Sequence, residues 1–206
     1  MTHALGFGLG NAAIGYATCF PRNLLPFSDV FLFGGPVNST VTANAVTAPD
    51  GTLRGTEWQR SSTAAAYTGL QISKPTPAMT YTISGYAEMG TGNFIALRMQ
   101  GTYPDRADVV FNLSNGTIST AATVSGNYSG TPIATIAAVG GGWYRLSLTA
   151  TTSGSDANDV ISANFSSSAN GVVLDGTDSQ SNTIAYFFGT MLVLAPHLTP
   201  FIPSPQ

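Results

Sequence analysis

The segment TYTISGYAEM, Thr80–Met89, decides the fold class of this chain of 206 residues. Small or apolar residues occupy every second position and share one face, namely Tyr81, Ile83, Gly85, Ala87 and Met89. Successive side chains of a β-strand point to opposite faces, so this period of two predicts a strand that buries one side. The segment therefore indicates a sheet packed against a core.

Two later segments extend the same pattern. After three glycines, Tyr144, Leu146 and Leu148 alternate with Trp143, Arg145, Ser147 and Thr149, which predicts a second half-buried strand. The apolar run at residues 184–194, IAYFFGTMLVL, is too short to cross a membrane as a helix. It predicts a central strand buried on both faces.

The rest of the chain indicates strands and turns, because Gly or Pro recurs every few positions and no apolar spacing of 3.6 residues is sustained. Gly-containing turns such as Asn115-Gly116 and Asp175-Gly176 separate the segments. Ten strands are predicted, at residues 37–45, 52–60, 67–73, 80–89, 93–100, 107–113, 133–139, 143–152, 160–167 and 184–194. We predict an all-β fold, an antiparallel two-sheet, jelly-roll-like sandwich over residues 23–195.

Both ends of the chain differ from this pattern. Residues 1–22 are rich in glycine and carry no Lys or Arg before Arg22, so we expect no signal peptide and predict an extended anchoring arm. Its apolar residues are the predicted contacts with a partner: Leu5, Phe7, Leu9, Ile14 and Phe20. Residues 196–206 contain four prolines, which predicts an extended tail outside the sheets.

Charge is scarce in this chain. Only 8% of the residues are charged, whereas soluble domains average roughly 25%. A surface of this kind suits a protein whose faces are covered by neighbours, and we expect a homo-oligomer, a trimer. The net charge of −3 and the scattered cations argue against nucleic acid as a partner, and no membrane partner is expected.

The inventory of reactive side chains argues against an enzyme. The two histidines, His3 and His197, lie near the ends, and no Gly-x-Ser-x-Gly motif is present. The glutamates Glu57 and Glu88 fall in predicted strands, where an outward, solvated carboxylate is expected. We therefore expect no catalytic site.

Aspartates gather in two predicted loops. Asp156, Asn158 and Asp159 form one group and Asp175 and Asp178 the other, and such oxygens can bind calcium. Asp and Asn also form turns by bonding their own backbone, which is the interpretation adopted here. No metal and no cofactor are expected.

Aromatic side chains are the candidate residues for binding a glycan. Stacking on sugar rings requires exposed aromatic faces, and most of the candidates fall where a core is predicted. Tyr103 and Tyr128 fall in predicted loops, so they form the possible glycan platform.

A series of short motifs follows one order along the chain. It comprises NLL at residues 23–25, APDGT at 48–52, FNL at 111–113 with NGT at 115–117, GWYR at 142–145, DGT at 175–177 and PFIP at 200–203. In this order the motifs resemble a β-sandwich module of bacteriophage structural proteins, which is similar to the jelly rolls of family 4 and family 9 carbohydrate-binding modules. The chain departs from the module at two places: FLF at 31–33 replaces a tryptophan, and no acidic residue lies near Val193. Sugar binding is therefore not carried over.

The resemblance implies a virion protein. We expect a capsid decoration protein at the particle surface that docks on the major capsid or another virion protein and stabilises the coat. A host-adhesion fibre or spike head that binds surface glycans is the first alternative, although no heptad repeat indicates a shaft. A free carbohydrate-binding module is the second.

Overall fold

The computed structural model describes residues 21–26 and 35–202, and every strand or helix assigned within these ranges is a β-strand. The strands are β1 (Ser39–Val46), β2 (Gly55–Arg60), β3 (Thr68–Ser73), β4 (Thr80–Met89), β5 (Phe94–Gln100), β6 (Arg106–Asn112), β7 (Thr117–Ser125), β8 (Ser129–Gly140), β9 (Trp143–Thr151), β10 (Val160–Ser168) and β11 (Ile184–Val193). None of the described residues forms a helix that is long and apolar enough to cross a membrane.

The strands form two antiparallel sheets. The six-stranded sheet has the order β1-β2-β11-β4-β9-β8, and the five-stranded sheet has the order β3-β10-β5-β6-β7. The strand that comes last in sequence, β11, thus lies in the interior of the larger sheet, between β2 and β4. The expected all-β, antiparallel, two-sheet sandwich is confirmed.

The core lies between the two sheets and follows the predicted alternation. The inward side chains of β4 and β9 include Ile83 and Leu148, and those of the facing sheet include Leu97, Val109 and Phe165, all of them buried. Residues of the opposite parity point outward, so the alternate positions of each strand form the outer face of its sheet.

Ten of the eleven strands match the predicted ones within a few residues. The exception is β7, which no prediction covered. Its sequence, TISTAATVS, consists of small and hydroxyl-bearing residues apart from Ile118 and Val124, and it shows no apolar alternation strong enough to mark a buried face. Backbone pairing with β6, rather than the side-chain pattern of β7 itself, makes this segment a strand.

The segment before β1 is fastened to the last strand. The Asn23 side chain donates to the carbonyl of Thr190 at 3.0 Å and accepts from the amide of Leu192 at 3.0 Å.

After β11 the chain packs on the outer face of the six-stranded sheet, where Phe201 lies against Tyr86 and Phe188. The predicted arm contacts, Leu5, Phe7, Leu9, Ile14 and Phe20, fall outside the described residues.

Candidate functional site

The outer face of the five-stranded sheet carries two rows of polar side chains. The strand registers place Gly69, Asn164, Arg98 and Asp108 next to one another across four strands. The adjacent row is Gln71, Ser162, Gln100 and Arg106. Residues that are far apart in sequence are thereby assembled into one surface rich in hydrogen-bonding groups.

Arg98 is the centre of this surface. Its side chain is only 2% exposed, and Asp108 accepts hydrogen bonds from Nε at 2.6 Å and from Nη2 at 3.1 Å. The remaining terminal nitrogen, Nη1, donates to Asp175 Oδ1 at 2.6 Å and to Gln100 Oε1 at 3.4 Å. Burial alone would lower the pKa of Arg98, but the hydrogen bonds to both carboxylates outweigh it and raise that pKa.

The hydrogen bond from Arg98 also holds the pKa of Asp175 below its ordinary value. Asp175 is therefore charged at neutral pH, as is Arg98. The guanidinium is fixed in a plane by carboxylates on two sides, which makes it a rigid part of the surface.

At one position of the sheet a glycine leaves room for the side chain of a neighbouring strand. Gly69 on β3 pairs with Asn164 on β10, and the Asn164 side chain occupies the space above Gly69 where a Cβ atom would project. Asn164 Nδ2 also donates to Ser162 Oγ at 3.0 Å. The Asn164 amide therefore lies flat along the sheet instead of projecting into solvent.

Tyr103 stands at the side of this surface, on the loop between β5 and β6, with 64% of its surface exposed. The neighbouring residue, Thr102, donates its amide and hydroxyl hydrogens to the two carboxylate oxygens of Asp156, at 3.0 and 2.5 Å. The Arg106 guanidinium lies 5.1 Å from the centroid of the Tyr103 ring. Although exposed, the ring is thus held by a fixed loop and by a cation–π contact.

A loop at residues 169–178 covers the other part of the same face. Its Leu174 is buried against Ala96 and Val110, which belong to the outward positions of β5 and β6. The base of the loop is held by Asp178, which accepts hydrogen bonds from the amides of Ala169 and Ser179 at 2.9 and 2.8 Å. Asp178 Oδ2 also lies 3.5 Å from Nε of the buried Arg60.

Between the two loops the face forms a groove of about 400 Å³, which we call the sheet groove. Its lining comprises Tyr67, Gly69, Gln71, Arg98, Gln100, Tyr103, Ser162, Asn164, Leu174 and Asp175. The volume lies at the lower end of the range of small-molecule sites, roughly 300–1,000 Å³. Fixed amide, hydroxyl and guanidinium groups beside an exposed aromatic ring can bind a polar ligand that also has an apolar face.

The two tyrosines of the predicted platform have different locations. Tyr103 borders the sheet groove, whereas Tyr128 is 5% exposed and packs in the main core. Its ring offers no face to a ligand, which corrects the placement of Tyr128 at the surface. Tyr128 lies between the predicted strands at residues 107–113 and 133–139, where a loop is expected, but in the structure its side chain points between the sheets.

The two glutamates lie away from the groove. Glu57 and Glu88 occupy the outer face of the six-stranded sheet, on either side of Tyr186. Glu88 is half-buried, and burial raises its pKa, which differs from the solvated carboxylate expected. Within the described ranges no group of three or more His, Cys, Asp or Glu side chains is placed to hold a metal ion.

A larger cavity, of about 950 Å³, lies between the segment 21–26 and the start of the C-terminal tail. Its lining is mainly proline and aliphatic side chains, and the amide of Asn23 that borders it is already bonded to β11. The sheet groove presents more fixed polar groups, so it is the better candidate for specific recognition.

Among the polar residues of the groove, five were not predicted as site residues: Gln71, Arg98, Gln100, Ser162 and Asn164. A signal for Arg98 is present in the sequence, because an arginine interrupts the otherwise apolar strand FIALRMQ. Its partner Asp108 interrupts the next strand, RADVVFN, in the same way. A charged residue in each of two adjacent buried strands indicates a pair on one face.

No protein-family model and no curated protein matches the chain. Solved structures of similar fold include a family 61 carbohydrate-binding module in complex with β-1,4-galactotriose, at 12% identity and a TM-score of 0.39 over 84% of this chain and 99% of that one. A family 4 carbohydrate-binding module is similar at 14% identity and a TM-score of 0.42 over 82% of this chain and 97% of that one.

Proposed function

We propose that this protein is a carbohydrate-binding module-like domain that binds glycans in the sheet groove. The observation that carries the proposal is the placement of the exposed Tyr103 ring beside Gln100 and the buried Arg98. A sugar presents an apolar ring face and a rim of hydroxyl groups, so it needs an aromatic surface and a set of fixed donors and acceptors. The sheet groove supplies both.

The rigidity of the groove supports the same proposal. Arg98 is held by two carboxylates, Asn164 by Ser162, and the Tyr103 loop by Asp156. Few side chains would lose rotamer freedom when a ligand binds, so more of the contact energy remains as affinity. A short glycan, such as a disaccharide unit of a longer chain, is the proposed ligand.

The domain is proposed to bind without turnover. Cleavage of a glycosidic bond commonly requires a carboxylic acid that can donate a proton and a second carboxylate. The carboxylates in and beside the groove, Asp108 and Asp175, are both bonded to Arg98, and that hydrogen bond lowers the pKa of Asp175. Asp175 is therefore not suited to donate a proton at neutral pH, and Asp108 is engaged by the guanidinium groups of both Arg98 and Arg106.

The test is a glycan array followed by titration calorimetry on the best ligand, with wild type, Tyr103→Ala and Leu53→Ala. Leu53 is the matched control, because it is 62% exposed and lies at the turn between β1 and β2. We expect Tyr103→Ala to weaken binding by about 1–2 kcal/mol, the scale of a lost aromatic contact, and Leu53→Ala to leave it unchanged. Equal affinity of wild type and Tyr103→Ala would refute the groove as the site.

A role in a virion coat is the second candidate, and one surface favours it. Between Asp108 and Arg145 the chain contains no Asp, Glu, Lys, Arg or His, and β7 and β8 within it lie beside each other at the ends of the two sheets. Exposed apolar residues on these strands include Ile118, Ile133 and Val139. Natural sheet edges are commonly protected by charges, so an uncharged edge suits contact with another copy or with a coat protein.

We call this uncharged region, formed by β7 and β8, the β7–β8 surface. Under the coat hypothesis a homotrimer joined through this surface docks on the major capsid or another virion protein, and the sheet groove of each copy remains open. A decoration protein and a fibre head that binds glycans would then differ only in where the trimer is attached. Electron microscopy of particles incubated with the labelled protein would locate it.

A further inference from the structure

We propose that Asp175 makes the sheet groove select neutral sugars over acidic ones, by occupying the face of Arg98 that an acidic sugar would need. The inference rests on the proposed glycan-binding function and adds the class of glycan. Arg98 is the cation in the groove lining, and a buried guanidinium is the side chain that best binds carboxylates in two-point geometry.

The guanidinium has no edge left for such a ligand. Asp108 accepts from Nε and Nη2, the pair of donors that would form one two-point contact. Asp175 accepts from Nη1 at 2.6 Å, beside Gln100. A sugar carboxylate entering the groove would find the positive charge already matched on two sides.

The other charged groups nearby do not change this balance. Arg106 packs its guanidinium over the Tyr103 ring at the side of the groove, and its Nε donates to Asp108 Oδ2 at 3.1 Å. Two further carboxylates are Asp105 of the Tyr103 loop and Asp156, which accepts hydrogen bonds from that loop; both are buried and bonded to backbone amides. The two arginines therefore face at least as many carboxylates, and an acidic sugar would meet repulsion that a neutral sugar does not.

Unlike the buried Asp108, Asp175 can be substituted without disturbing the sheet. Its side chain is half-exposed on the loop 169–178, and the loop is anchored independently by buried Leu174 and by Asp178. The substitution Asp175→Asn keeps the shape of the side chain and removes its charge. It should leave the positive charge of Arg98 only half matched, and the neutral amide oxygen in place of the carboxylate is a weaker acceptor that an acidic ligand can displace.

The experiment compares wild type, Asp175→Asn and the control Asp50→Asn by titration with neutral and acidic probes. Neutral probes are cello-, xylo- and galacto-oligosaccharides, and acidic probes are oligogalacturonates and sialyllactose. Asp50 is a matched control, since it is a half-exposed carboxylate paired with an arginine, Arg54, in the β1–β2 turn. Thermal unfolding of each variant verifies that it is folded.

We expect wild type and Asp50→Asn to bind a neutral probe and to exclude the acidic ones. In Asp175→Asn the affinity for an acidic probe should rise relative to the neutral probe by about tenfold or more, the effect of a hydrogen bond between charged groups. Tighter binding of acidic than neutral probes by wild type would overturn the inference. A folded Asp175→Asn that loses neutral binding and gains no acidic binding would also overturn it, because Asp175 would then be a direct ligand contact.

These outcomes separate the two proposals. Binding of neutral probes with unchanged selectivity in Asp175→Asn refutes the role of Asp175 and leaves glycan binding intact. Absence of binding to every neutral and acidic probe by wild type and by Asp175→Asn refutes glycan binding itself, and the selectivity with it.

Discussion

The Asn164 side chain lies in the space that a Cβ atom on Gly69 would occupy, so these two residues of paired strands are matched in shape. The carbonyl oxygen of Ala163 also lies 2.6 Å from that position, and backbone cannot move aside as a side chain can. The absence of a side chain at Gly69 is therefore a requirement of the sheet and of the groove above it.

We predict that Gly69→Ala destabilises the domain by about 1–3 kcal/mol, the usual cost of inserting an atom into packed structure. Gly85→Ala is the control, because Gly85 also lies within a strand and an added Cβ there would meet its nearest neighbour at 3.4 Å, an ordinary contact. Urea denaturation of both variants measures the difference. Equal stability of the two would show that Asn164 and the strand shift at little cost.

Tyr128→Phe should leave the domain as stable as wild type or make it more stable by up to about 1 kcal/mol. The Tyr128 hydroxyl is buried and has no hydrogen-bond partner in the described part of the chain, so its removal relieves an unsatisfied polar group. Burial also raises the pKa of this tyrosine. Tyr128→Ala, in contrast, removes a core ring and should cost about 3–5 kcal/mol. A marked loss of stability in the phenylalanine variant would reveal a partner for the hydroxyl.

Asp156→Asn should weaken the domain at neutral pH by about 1–2 kcal/mol, because three hydrogen bonds to a carboxylate become bonds to an amide. Burial would raise the pKa of Asp156, but these bonds outweigh it, and the pKa falls below its ordinary 3.8. A lowered folded-state pKa contributes stability above the unfolded-state value that is lost as the pH falls through the folded-state value.

The difference between wild type and Asp156→Asn should consequently shrink as the pH is lowered from about 7 to below 3.8. Urea denaturation at several pH values measures it. A difference that stays constant over this range would mean that the charge of Asp156 contributes nothing.

The β7–β8 surface should mediate self-association if the coat hypothesis is correct. We predict that wild type is a trimer in light scattering and that Ile133→Lys is monomeric, since Ile133 is 56% exposed and a lysine there places a charge on the uncharged edge. Leu53→Lys is the control at a similarly exposed position far from β8 in the sheet. A wild-type monomer at micromolar concentration would count against the coat hypothesis.

The strands could be predicted because most of them bury one face. Alternation along Thr80–Met89 and Trp143–Thr151 located β4 and β9 within one residue, since apolar residues at every second position line one face of a strand and no continuous face of a helix. β7 has no such alternation, so only its pairing with β6 makes it a strand. Tyr128 was misplaced for a related reason, because β7 and the first residues of β8, which flank it, were not predicted and left it in a predicted loop.

The candidate site could be predicted only in part. Tyr103 was found because an aromatic residue in a loop between two strands is expected at the surface. The polar residues of the groove come from β3, β5 and β10, and their proximity depends on strand order, which local patterns do not contain. Pairs of strands that are distant in sequence, such as β3 and β10, bring Gln71 beside Ser162.

The position of β11 also constrains how the chain can fold during synthesis. Until β11 emerges from the ribosome, the six-stranded sheet can exist only as two fragments, β1-β2 and β4-β9-β8, because β11 is the strand that joins them. Contacts between distant parts of a chain form slowly, and the hydrogen bond from the Leu192 amide to the Asn23 side chain joins residues at nearly opposite ends of the described chain. A nascent chain therefore displays apolar strand edges until β11 is made, and this interval is when aggregation competes most strongly with folding.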